Sequence, residues 1–189
     1  MTTRGLIGFR LNGKLKGTYN HFDSYPSGLG AEVISFVQDN LLDNAKLDTF
    51  RVNASTLKTV KSQGKPSAEW VPYYLDTQGE PSLGMARALT EWYALLREFQ
   101  GVKGLEGILA GKLKHWINSN VFLKDSLFCE FAYILDLDKK QIEFYKGFQK
   151  RKKPTKTGNE YGPCKKVGSI AFNQVDKQAM MELYGIEGD

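Results

Sequence analysis

A chain of 189 residues, 41% hydrophobic and 25% charged, has the makeup of one globular domain that buries a core without disulfides or structural zinc. No apolar run approaches the roughly 20 residues a bilayer span needs, and the start lacks the basic flank, apolar stretch and small-residue cleavage site of a signal peptide; no membrane partner is expected, and the expected compartment is the cytoplasm. Two cysteines, Cys129 and Cys164, suit a reducing compartment, and a formal charge of +5 makes a polyanion such as nucleic acid a candidate partner.

In chain order, Gly5 to Leu11 reads as a strand, Asn12-Gly13 as a tight hairpin turn, and Lys14 to Phe22 as the returning strand. Ser24 to Gly30 is a turn, and the spacing of Val33, Ile34, Val37, Leu41 and Leu42 predicts a helix from Gly30 to Leu42. Leu47, Phe50, Val52, Leu57 and Val60 suggest a second, less regular helical stretch, and Ser62 to Pro72 reads as a loop. The clearest periodicity predicts a helix over Ser82 to Phe99, with Met85, Leu89, Trp92, Leu95, Leu96 and Phe99 on its buried face and Arg97 off it. A shorter helix over Leu105 to Ala110 stops at Gly111, and another turn or two is expected in Phe122 to Phe128. Glu130 to Leu137 and Gln141 to Lys146 then form a second hairpin, Lys166 to Phe172 a further strand, and Lys177 to Tyr184 a last helix. This order predicts an α+β fold, an antiparallel or mixed sheet built from an N-terminal and a C-terminal hairpin with three or more helices packed on it.

The string Tyr19-Asn20-His21-Phe22-Asp23-Ser24-Tyr25-Pro26 packs one of only two histidines with an Asn, an Asp, a Ser and two tyrosines into one turn. Turns are made with Gly, Pro, Asn and Asp; His and Tyr in addition point to a site. Arg4, Tyr19, His21 and Tyr25 form a set suited to a phosphate or carboxylate, the guanidinium fixing orientation and the imidazole moving a proton. The alternative is that Asp23 pairs with Arg4 and His21 is a satisfied structural histidine. Lys150, Arg151, Lys152 and Lys153, with Lys156, Lys165 and Lys166 further on and Tyr145, Phe148 and Tyr161 interleaved, have the composition of a single-strand nucleic-acid groove or of a solvated loop. Asp125, Glu130, Asp136 and Asp138 lack the spacing of a metal site, so no metal and no cofactor is expected.

Removal of Met1 ahead of the small Thr2 would expose an α-amino group beside a hydroxyl, the arrangement in which the amine serves as base for a threonine nucleophile. With a short strand, an Arg and a tight hairpin behind it, this opening resembles the N-terminal-nucleophile hydrolases of proteasome type. The resemblance implies an amide hydrolase with Thr2 as nucleophile and Asn20, His21 or Asp23 close to it; no lysine stands where the proteasome type needs one.

A second likeness rests on Thr3-Arg4-Gly5, on Tyr19 to Gly30, on Asp125-Ser126-Leu127-Phe128, on Tyr133-Ile134-Leu135-Asp136-Leu137-Asp138 and on Tyr145-Lys146-Gly147-Phe148-Gln149. In these strings the chain resembles a family of uncharacterised bacterial, phage and fungal proteins, and the likeness implies that both hairpins belong to one shared architecture. Three readings of function stand side by side: an amide hydrolase, a binder of a nucleotide or of single-stranded nucleic acid, and a protein-interaction factor such as a phage host-takeover protein, without catalysis.

Overall fold

The structure, a computed structural model, describes residues 3–155 and 158–186. The Asn12-Gly13 turn, where both residues take positive φ, joins the antiparallel pair β1 (Gly5–Leu11), buried on both faces over its first five residues, and β2 (Lys14–Asn20). After β2 come a tight turn over Pro26–Gly30, helix α1 (Ala31–Phe36) and a wider π turn over Val37–Leu41, which together occupy the expected first helical stretch. Helix α2 (Asn44–Thr56) begins where the Asp43 carboxylate accepts the N–H groups of Ala45 and Lys46 at 2.8 and 3.1 Å. The three-residue strand β3 (Lys58–Val60) and helix α3 (Trp70–Gln78) follow; α3 starts inside the segment expected to be a loop.

The helix expected over Ser82 to Phe99 is not continuous. It is split into α4 (Met85–Ala88), α5 (Trp92–Leu95) and a 3-10 turn over Arg97–Phe99, with Glu91 extended at φ −135° and ψ 127°. The break has a tertiary cause: Trp92 and Tyr93 donate their N–H groups to the carbonyls of Gly64 and Ser62, both at 2.9 Å, in place of carbonyls one turn back. As a result Met85 and Leu89, expected on the buried face, are 40% and 46% exposed, while Trp92, Leu95 and Leu96 are buried.

Helix α6 (Val102–Leu109) leads to β4 (His115–Ile117), which pairs in parallel with β3. A 3-10 turn over Asn120–Lys124 precedes the second hairpin, β5 (Phe131–Asp136) and β6 (Gln141–Lys146), and β7 (Lys165–Ala171) and α7 (Lys177–Tyr184) close the fold.

The main sheet has the order β2-β1-β5-β6-β7, and β1 and β5 run parallel while the other neighbours are antiparallel. The fold is therefore α+β, with the two hairpins side by side in one mixed sheet as expected. Ile7 and Phe9 of β1, Tyr133 and Leu135 of β5, and Ile142 and Phe144 of β6 join the core shared with the helices. Each apolar side chain fully buried there stabilises by roughly 1.5–3 kcal/mol. Leu6, Ala132 and Ile134 pack on the opposite face with Cys129 and, at its margin, Phe122, Leu123 and Cys164. Glu143 lies between Ile142 and Phe144 and so projects to that second face, where its carboxylate accepts from Lys166 Nζ at 2.7 Å, Arg10 Nη2 at 3.0 Å and Tyr145 Oη at 3.0 Å. Among the described residues no helix is long and apolar enough to cross a membrane.

Candidate functional site

Strand register brings the separated sequence segments to one end of the sheet. Gly5 pairs with both Asn20 and Phe131, Phe131 with Lys146, and Lys146 with Lys165. Arg4, the turn after Asn20, residues 125–130 and the loop after Lys146 all emerge there. Two close approaches hold this end together. A Cβ on Gly5 would run into Ser24 and the Phe131 carbonyl, and one on Gly147 into the carbonyls of Cys129 and Ser126, so both positions need glycine.

The turn itself is built by its polar residues. Asn20 is buried and its side-chain amide donates to the Phe22 carbonyl and to Ser24 Oγ, the latter at 2.8 Å. Ser24 is fully buried, its N–H donates to the Thr3 carbonyl at 3.2 Å, and its own carbonyl accepts from the core hydroxyl of Tyr133 at 2.9 Å. Asp23, at φ +48°, is exposed and offers its carbonyl to the N–H of Leu29 at 2.8 Å; among the described residues Arg4 is not its partner. Tyr25 is exposed, with its ring against Gly28.

Tyr19 precedes Asn20 on the strand and so points to the opposite face, where its ring meets Phe122 edge to face at 5.2 Å. Its hydroxyl lies 2.6 Å from His21 Nδ1. Partial burial pushes the Tyr19 hydroxyl up from its ordinary value, so the phenol stays protonated beside the imidazole. Burial first, and then the positive charges of Arg97 and Arg4, push His21 below the usual imidazole value; at neutral pH it is uncharged.

Those two arginines define the site. The Arg97 guanidinium lies over the rings of Phe22 and Tyr93, 5.5 and 5.3 Å from their centroids, and donates to Tyr93 Oη at 2.7 Å and Gln100 Oε1 at 2.6 Å. The Arg4 guanidinium lies 5.3 Å over the Phe128 ring. Among the described residues neither has a carboxylate partner, and Phe22 and Phe128 are 54% and 46% exposed. Half-buried guanidiniums held over aromatic faces without a carboxylate are chemically able to pair with an anion.

The remaining expected residues lie around this centre. Phe148 and Gln149 donate their N–H groups to Ser126, two residues before Phe128, which anchors the basic loop at the same end of the sheet. Lys150 forms a bridge with Tyr161, Arg151 Nε donates to the Tyr161 carbonyl at 2.9 Å, and Lys152 and Lys153 are exposed. Thr2 and Lys156 lie outside the described residues. Cys164 Sγ is 3.2 Å from the Cys129 carbonyl; hydrogen bonding between the two thiols pushes Cys129 up and Cys164 down. Among the described residues no group of three or more His, Cys, Asp and Glu side chains could hold a metal ion.

Arg97, Tyr93 and Gln100 are not among the candidate site residues read from the sequence. Arg97 carried one local signal, its place off the apolar face, which any solvated arginine shares. It stands at the meeting of two concavities. An open groove of about 860 Å³ runs between the Asn20–Asn40 side and residues 97–106, with Asp23 and Lys103 on its walls. A smaller cavity of about 170 Å³ lies under Tyr93 and Gln100. Comparison of the chain with protein-family models, with curated proteins and with solved structures finds no match.

Proposed function

We propose that this protein binds a phosphate-bearing ligand with an aromatic ring, a nucleotide or a stretch of single-stranded nucleic acid, at Arg4, Tyr19, His21 and Arg97. One observation carries the reading: two guanidiniums without carboxylate partners among the described residues bear on one neutral histidine, and each covers an exposed phenylalanine. Arginine forks suit phosphate oxygens, and exposed rings beside them offer stacking faces for bases. The neutral His21 imidazole adds a further polar contact, and Lys150 to Lys153 extend positive charge for a longer strand. The two cysteines, both free, fit a reducing, cytoplasmic setting.

The test is equilibrium binding of a fluorescent mononucleotide and of a short single-stranded oligonucleotide at several salt concentrations. Binding is expected to weaken steeply with salt, and Arg97→Ala and Arg4→Ala are each expected to weaken it about tenfold, equivalent to about 1.4 kcal/mol. Neutralising Lys152 and Lys153 should affect the oligonucleotide and spare the mononucleotide. Binding that ignores salt and both arginines overturns the reading and turns the exposed aromatics toward a protein partner.

A second reading, the amide hydrolase with Thr2 as nucleophile, is favoured by the hydrogen bond from Ser24 N–H to the Thr3 carbonyl, which holds the start of β1 against the turn containing Asn20, His21 and Asp23. In that reading Asn20 or a backbone N–H would stabilise the oxyanion. Intact mass decides it first: retained Met1 removes the nucleophile, whereas its loss predicts amide hydrolysis that Thr2→Ala abolishes.

A further inference from the structure

The cavity beside Arg97 is joined to the anion site through shared residues. Tyr19, which bonds His21, and Tyr93 and Gln100, which bond Arg97, all line it, so an anion held at the arginines stands at its mouth. Its walls are aromatic and apolar, with Trp116, Phe99 and Leu113 among them. At about 170 Å³ it is close to the ~150 Å³ cavity that accepts a benzene molecule, room for one six-membered ring.

A buried polar group gives the cavity its chemistry. His115 is 3% exposed and is held between Trp92, stacked at 4.3 Å, and Trp70, edge-on at 4.4 Å. Tyr74 Oη accepts the backbone N–H groups of Lys114 and His115 at 3.0 and 3.1 Å, so its own hydrogen goes to His115 Nδ1 at 3.1 Å. Burial, followed by the charge of Lys58, lowers His115 to about 4 and keeps the ring neutral, which leaves the proton on Nε2. Neither that N–H nor the Gln100 amide N–H₂ has a hydrogen-bond partner among the described residues, although both residues line the cavity. Free donors such as these in an aromatic-walled space match a ring bearing hydrogen-bond acceptors.

We infer that this cavity is the base pocket of the proposed site and takes a single pyrimidine ring, its acceptors (O2 with N3 or O4) facing His115 Nε2–H and the Gln100 amide, with the attached phosphate on Arg97 and Arg4. The inference rests on the anion-binding reading and adds selectivity to it: pyrimidine nucleotides enter, and purine nucleotides are held by their phosphate alone.

Titration calorimetry with UMP, CMP, AMP, GMP and inorganic phosphate at one ionic strength tests it, with tryptophan fluorescence as a second readout because Trp116 lines the pocket. UMP and CMP are expected to bind at least tenfold more tightly than AMP and GMP and to change the fluorescence. Ser62 also lines the cavity from a half-buried loop position, so Ser62→Phe fills the space with little demand on the core. That variant should lose the pyrimidine preference and keep AMP binding at its original strength. His115→Phe, which keeps a ring between the two tryptophans, should lower the preference about fivefold. Equal affinities for all four nucleotides, with Arg97→Ala still weakening them, would overturn the pocket and leave the anion site standing. Failure of every phosphate-bearing ligand to bind would overturn both.

Discussion

The two ends of the main sheet are both rich in charge, and they treat it in opposite ways. At the end where β1 turns into β2, the Asp138 carboxylate takes the N–H groups of Asn12 and Gly13 at 2.9 and 2.8 Å, and those bonds hold it below its ordinary value. Asp136 Oδ1 likewise takes the N–H groups of Asp138 and Lys139, at 3.1 and 3.0 Å. Farther along the sheet Arg10 and Lys166 share Glu143. At the other end Arg4 and Arg97 sit half-buried over aromatic rings with no carboxylate among the described residues. The carboxylates of Asp138, Asp136 and Glu143 are engaged by backbone N–H groups or basic side chains, apart from the buried Asp136 Oδ2, which has no partner among the described residues. The two guanidiniums beside exposed rings have only neutral partners among the described residues, which makes that end the place to look for a ligand.

The contrast is sharpest at Glu143. Its side chain is 7% exposed, and Glu143→Ala leaves Arg10 and Lys166 facing each other without a counter-charge; their exposures of 27% and 38% let water recover part of the loss. The expected cost is about 2–3 kcal/mol in urea unfolding, with nucleotide affinity unchanged. Arg97→Ala should do the converse, lowering affinity about tenfold while stability moves by about 1 kcal/mol or less, since only neutral partners are lost. A variant at Glu143 that abolished binding, or one at Arg97 that unfolded the protein, would break the distinction between the two regions.

Acid probes the same pair with a smaller effect. Burial alone would raise the Glu143 carboxyl, but hydrogen bonds from Lys166, Arg10 and Tyr145 outweigh it and hold the group below its ordinary value. A carboxylate depressed in the native state adds stability above its unfolded pKa, near 4.5, and that stability is lost as pH falls through the native value. Unfolding free energy should therefore fall below about pH 4.5 in the wild type and more shallowly in Glu143→Gln, when both are followed by urea titration at stepped pH. The smallest effect belongs to Asp138→Ala: the turn keeps its Asn-Gly geometry, and the loss of two exposed hydrogen bonds should cost under about 1 kcal/mol in thermal unfolding.

Much of the fold was readable without coordinates because its signals are local. Asn12-Gly13 places the first hairpin, short strand-like runs place Phe131 to Lys146, and helical character over Lys177 to Tyr184 places the last helix. The three-residue strands β3 and β4 left no such trace, because their pairing is made only when Lys58 and His115 meet. The helix over Ser82 to Phe99 misled for a related reason: its apolar period is genuine, but carbonyls from residues 62 and 64 capture the N–H groups that would have continued it.

The site divides along the same line. By itself the sequence determined an α+β chain with two hairpins and a crowded turn from Tyr19 to Tyr25, since alternation, turn chemistry and composition are properties of neighbouring residues. Tertiary structure alone decided that Arg97, in a broken helix more than seventy residues further on, joins Arg4 at His21, and that the cavity under Tyr93 is lined by His115. No local pattern encodes that meeting; it arises when packing of the buried core sets where the helices lie against the end of the sheet.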